Sequence, residues 1–283
     1  MEAVLELDDI QGYIIRGYAH MQYSRFVLLN ITDAVSAKQW LGEIESSVTT
    51  AKHIPDKAAL PHTNLNIAFT SKGLYALGML PENAATFNPA FREGMITPHR
   101  QRILGDEGTN APKNWIWGGT EDAADKLHVL LMVFGRDKQT CLNYYEGLRS
   151  AYTSKGFTEI KAIDGQTLPK NKEHFGFRDG ISQPAIKGSG KAGLENDTVN
   201  AGEFILGYKN EYNVYPDSPL LSVDQGNMNL LSADAEGSGK KDLGRNGSYL
   251  VMRQMEQDVN KFWTFMNERT RNKDGSINEK ESI

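Results

Sequence analysis

"KLHVLLMVFG", Lys126–Gly135, is the stretch on which the fold turns. It is short, rich in branched and aromatic residues, and closed by glycine, so it reads as a buried strand rather than a helix. Upstream, "SRFVLLNI" (Ser24–Ile31) has the same strand character, and Ala37, Trp40, Leu41, Ile44 and Val48 follow with helical spacing. "HTNLNIAFT" (His62–Thr70) alternates as a strand does, and "SKGLYALGML" continues as a short helix with Ser71 placed to cap it. A longer irregular insert with "REGM", two tryptophans and a Gly-Gly pair leads into Lys126. Downstream, Cys141, Leu142, Tyr145, Leu148 and Tyr152 mark a helix, and "FTEIKAIDG" (Phe157–Gly165) another strand.

The order is β-α-β, a short helix with its insert, then β-α-β. This is the split β-α-β, or ferredoxin-like, pattern of the α+β class, an antiparallel sheet with helices on one face. The first unit is complete over 1–165. From 166 to 246 Gly, Asn, Asp, Ser and Lys dominate, and the segment reads as a linker carrying a long structured loop. Its "GSGKAG" (Gly188–Gly193) matches G-x-G-x-x-G in letters only, because no strand runs into it and no apolar helix leaves it. Over 247–283, "GSYLVMRQM" (Gly247–Met255) reads as a strand and Val259, Phe262, Trp263 and Met266 as one helical face. That pair echoes the opening strand and helix and begins a second ferredoxin-like unit, which is left incomplete. A lone strand and helix cannot bury both faces of a sheet, so self-association into a homo-oligomer or a complementing C-terminal chain is expected.

Lys and Arg number 31 against 36 Asp and Glu, a net charge of −5. No basic surface for nucleic acid or an acidic membrane is implied. No run approaches the ~18 apolar residues of a membrane span. The single Cys141 rules out an internal disulfide and falls among helix-spaced apolar residues, as a buried inert thiol in a reducing compartment would. With acids in "MEAVLELDDIQGY" where a secretory leader carries bases, the expected location is cytoplasmic.

C-x-x-C, H-E-x-x-H, G-x-S-x-G and P-loop patterns are absent. His20, His53, His62, His99, His128 and His174 are scattered, and His62 and His128 lie in strand patterns where structural roles are the default. The remaining chemistry is in "HFGFRDGISQP" (His174–Pro184). Asp179-Gly180 is most simply a turn. Yet Phe175, Phe177, Ile181 and Pro184 supply an apolar wall around its carboxylate, and a charge placed there is paired or used. Arg178 is one candidate partner.

"GFRDG" matches the G-x-x-D-G motif of dye-decolorizing peroxidases. "LDDIQGYIIRGY", "NIAFTSKGLYALG", "FREGM", "AGEFILGY" and "LGRNGSYLVMRQMEQDVNKFW" also resemble the long, bacterial and fungal branch of that family, from about Leu5 to the end of the chain. The resemblance implies two ferredoxin-like halves and haem b as cofactor. It implies hydrogen peroxide and an aromatic or dye-like electron donor as partners, and Asp179 as the distal acid-base group. Phe177, Gly180, Ile181, Ser182 and Gln183 would line the cofactor. The family's axial histidine and distal arginine lie downstream of the strand and helix at Gly247–Met266, and the 109 residues after His174 hold no histidine. The expectation is therefore a fragment or split part of a haem peroxidase without its own axial ligand. The alternatives are a non-catalytic binding or assembly module and a haem-handling protein.

Overall fold

The computed structural model describes residues 4–178, 180, 183–191, 193, 197–222, 230–272 and 274–276. Two compact units emerge: Met1–Gly165 with Pro184–Leu250, and Gln166–Gln183 with Val251–Ile283.

The first unit is built on four strands, β1 (Tyr23–Ile31), β2 (Thr63–Phe69), β3 (Val129–Gly135) and β4 (Phe157–Gln166), in the order β2-β3-β1-β4. β3 runs antiparallel to both β1 and β2, with Val27 opposite Leu131 and Leu65 opposite Val133. This is the α+β, ferredoxin-like order that the element count predicts. Every residue of β3 is buried, because β3 is an inner strand covered on both faces.

One face packs under helices α1 (Ala34–Ile44) and α3 (Lys138–Thr153). Val27, Leu29, Val129, Leu131 and Val133 meet Trp40, Ile44, Cys141, Tyr145, Leu148 and Tyr152 there. Each helix starts on an aspartate: Asp33 accepts from Val35 N and Asp137 from Thr140 N. Burial pushes the Cys141 thiol up to about 11, so it is an inert packing group. The short helix α2 (Ser71–Ala76) is capped by Thr70, whose hydroxyl accepts from Gly73 N, and not by Ser71 as expected. Two adjacent hydroxyls offered the role, and Thr70 is the one in extended backbone.

The other face is covered by the chain's lead-in. Tyr13 and Tyr18 lie on Phe134, with ring centroids 5.4 and 5.1 Å away. Tyr18 donates to Asn66 Oδ1 (2.7 Å), and Asn66 Nδ2 donates to Gln11 Oε1 and Thr49 O. A fully buried amide is thus satisfied on a sheet face that would otherwise reject it.

A second core joins part of the stretch after Pro184 to the lead-in. Ile186, Ile205 and Tyr208 pack with Leu5, Ile10, Ile15 and Ala51, so much of the expected linker belongs to the first unit. A polar clasp closes this core. Tyr208 donates to Asn246 Oδ1 (2.7 Å), and Asn246 Nδ2 donates to Glu6 Oε2 (2.8 Å) and Asp9 Oδ2 (2.6 Å). Arg245 pairs with Glu6 and lies over the Tyr208 ring. Asn246 sits at φ +66°, a left-handed conformation that asparagine tolerates better than most residues. Asn246→Ala should therefore lower stability by about 2–4 kcal/mol, from an orphaned buried hydroxyl plus backbone strain. Asn246→Gly, which removes only the bonds, should lose less, and equal losses in denaturant melts would refute the backbone part. Hydrogen bonds from Arg245 and Asn246 hold the Glu6 carboxyl below its ordinary value of 4.5. Its contribution is present in full above that value and lost as pH falls through the lower folded value, so Glu6→Gln should be less stable than the native protein near neutrality and the difference should shrink as pH falls below 4.5. A Glu6→Gln variant that keeps the native acid profile would show that the clasp does not carry the titration.

Among its described residues the second unit contains one α-helix, α4 (Val259–Arg269), started by Asp258, which accepts from Lys261 N. The strand expected over Gly247–Met255 does not form: residues 247–258 have no regular secondary structure. Their branched and aromatic content suits a strand, but a strand exists only when paired.

Candidate functional site

The second unit carries the first part of the motif, His174 to Arg178, on a turn held by one carboxylate. Glu173 Oε2 accepts from Phe175 N (2.7 Å) and its Oε1 accepts from Phe177 N (2.8 Å). Glu173 N donates to Phe177 O, Gly176 N donates to Glu173 O, and Lys172 bridges Arg178 through the backbone. Gly176 takes φ +95°, which a side chain would resist. The turn is therefore a closed clamp in which both oxygens of Glu173 serve amide donors.

The turn reverses the chain at Gly176 and brings the rings of Phe175 and Phe177 into one cluster. They pack against consecutive residues of α4: Phe175 to Phe262 at 4.6 Å, Phe177 to Phe262 at 6.2 Å and Phe177 to Trp263 at 5.9 Å between centroids. Trp263 Nε1 donates to Phe175 O (3.2 Å) and fixes the indole. Phe177 is still 41% exposed and Trp263 38%, so the cluster offers an open aromatic wall.

Of the expected site residues, Phe177 lies in this wall, Gly180 adopts φ +75° with open space around it, and Gln183 is exposed. Asp179, Ile181 and Ser182 lie outside the described residues. His174 is exposed on the same turn. His128 is structural: its Nδ1 accepts from Ile31 N and its Nε2 lies 2.8 Å from Asp125 O, the neutral tautomer. Burial lowers its pKa and keeps it neutral. Glu173, Phe262 and Trp263 were not anticipated. The Phe-x-Phe spacing and the adjacent Phe-Trp pair were visible signals, but nothing local joins residues so far apart in the chain.

As a haem site, the described residues fit one side only. The aromatic wall suits a planar apolar macrocycle. No group of three or more His, Cys, Asp or Glu placed to hold a metal ion occurs among the described residues, and the turn's histidine is exposed. Replacing Glu173 by Ala should free the Phe175 and Phe177 amides. Their hydrogen exchange should accelerate by about tenfold or more while β3 amides stay protected, and unchanged exchange would refute the clamp.

No helix among the described residues is long and apolar enough to cross a membrane. The model of the DyP dimeric alpha+beta barrel domain matches residues 9–169. The dye-decolorizing peroxidase msp1 of Mycetinis scorodonius is 30% identical over 277 residues, covering 95% of this chain and 47% of that protein. A dye-decolorizing peroxidase of Mycena epipterygia is 28% identical over 271 residues, covering 94% and 44%. The chain thus spans about half the length of the curated relatives it matches. The crystal structure of a fungal DyP-type peroxidase from Auricularia auricula-judae superposes with a TM-score of 0.72 at 25% identity, covering 99% of this chain and 55% of that one. The order β2-β3-β1-β4, the ring-lined turn and a family model that spans more than half of the residues agree: the chain belongs to the dye-decolorizing peroxidase family.

Proposed function

We propose that this chain forms the distal part of a haem peroxidase that uses hydrogen peroxide to oxidise aromatic or dye-like donors. The observation that carries the reading is the family match together with relatives named as dye-decolorizing peroxidases over 95% of the chain. Phe177, Gly180, Ile181, Ser182 and Gln183 would line one face of haem b. Bound haem would supply the iron through which the two oxidising equivalents of hydrogen peroxide reach the donor. The Asp179 carboxylate would accept a proton from one peroxide oxygen and return it to the other, which then leaves as water. An aspartate, with an ordinary pKa near ~3.9, remains a base at acidities where histidine is protonated, so turnover should peak in mild acid. The buried lone Cys141 supports a reducing, cytoplasmic setting.

The test is haemin titration of the purified chain, alone and mixed with the remaining half of a curated relative, followed by peroxide-dependent dye oxidation. A saturable Soret shift with turnover in either sample supports the reading. A shift without turnover in both samples favours a haem-handling protein, the second reading, which the one-sided fit of the described residues supports. No shift in either sample would leave the non-catalytic binding module.

A further inference from the structure

Beside the parallel pair β5 (Ala185–Ile186) and β6 (Thr198–Val199) lies an open surface groove that has no part in the peroxidase reading, edged by Pro184, by Val199 of β6 and by the turn Ala201–Glu203. Pro184, Val199, Glu203, Phe204, Glu211 and Tyr212 line about 400 Å³ of space, enough for one or two rings. The two aromatic side chains are held out into solvent rather than buried, Tyr212 being 85% exposed.

The carboxylates are placed, not loose. Glu203 Oε1 accepts from Glu211 N (2.9 Å), and Glu211 Oε1 accepts from Asn200 N (2.5 Å). One oxygen of each carboxylate therefore fixes the loop, and neither of those bonds uses the other oxygen. Lys187 pairs with Glu211, its Nζ 4.0 Å from Oε1, and donates to Asn200 Oδ1 at 2.9 Å. Lys209 is drawn over the ring of Tyr215. No ion pair of Glu203 occurs among the described residues, so the groove keeps negative charge beside two aromatic faces.

The geometry points to a binding site for a small organic cation, an ammonium carried on an apolar or aromatic body. Its charge would meet Glu203 and Glu211, and its body would lie against Phe204, Tyr212, Pro184 and Val199. Anions of the same shape are repelled by the same carboxylates. The site uses first-unit residues and no haem, so its failure would not touch the peroxidase reading.

Benzyltrimethylammonium and benzenesulfonate test it as a matched pair. The cation should shift the backbone amide resonances of residues 199–212 saturably, and more weakly as salt is raised, while the sulfonate should not. The double variant Glu203→Gln, Glu211→Gln keeps an acceptor oxygen at each position and should raise Kd about tenfold. Should that variant misfold, Tyr212→Ala at the exposed ring replaces it and should also weaken binding. Equal binding of both probes, or shifts confined to other residues, or a Kd indifferent to salt and to both variants, would overturn the assignment.

Discussion

Asp179→Asn is expected to slow reaction with hydrogen peroxide by about 10²–10⁴-fold in the haem-loaded protein, the range typical for loss of a positioned acid-base group. Asparagine keeps the size and polarity of the side chain but cannot take up a proton at these acidities. Haem uptake should be unchanged, because the expected role is in proton transfer and not in ligation. The rate of peroxide consumption in stopped flow, read against the Soret titration, separates the two. A variant that reacts at the native rate would remove Asp179 from the mechanism. One that loses haem would make it structural.

Trp40→Ala should produce the largest loss of stability in the first unit, about 3–5 kcal/mol. Trp40 is 1% exposed and meets Phe157 at 5.1 Å and Tyr152 at 5.8 Å, both edge-on. It joins α1 to α3 and β4, so the cavity opens where three elements meet and none can collapse without moving another. Tyr152 is also tied down, since its hydroxyl and that of Tyr145 both donate to Glu159 Oε2. Urea unfolding monitored by far-UV dichroism would measure the loss. A value under about 1 kcal/mol would show that the site relaxes or that the tryptophan is not the keystone of the packing.

The first sheet was legible because its signals are local. β3 is a continuous apolar run, and α1 and α3 repeat apolar residues at helical spacing, so each element announces itself within ten or so residues. The covering of the second face was not legible. Tyr18 and Gln11 meet Asn66 across 48 and 55 residues, and an asparagine in a strand gives no sign that a distant tyrosine satisfies it. The core around Ile205 and Tyr208 was hidden for a related reason, its apolar residues being thinly spread through a polar composition. At Gly247–Met255 the expected strand is absent, because composition cannot report whether a pairing partner exists. In the candidate site the Phe-x-Phe turn was visible, whereas its packing partners in α4 lie more than eighty residues on.

The clasp between Glu6 and Asn246 spans 240 positions of the chain. A ribosome adding ~5–20 residues per second makes the two ends of that contact many seconds apart. The sheet, its helices and the lead-in from Gln11 onward can assemble as soon as β4 has been made, but Leu5 to Asp9 must wait for their partners until the clasp residues leave the exit tunnel. Maturation of this unit is therefore a two-stage event whose second stage is timed by synthesis. Stalled nascent chains released before residue 246 should keep Leu5 and Ile10 open to protease, and chains stalled well beyond it should not.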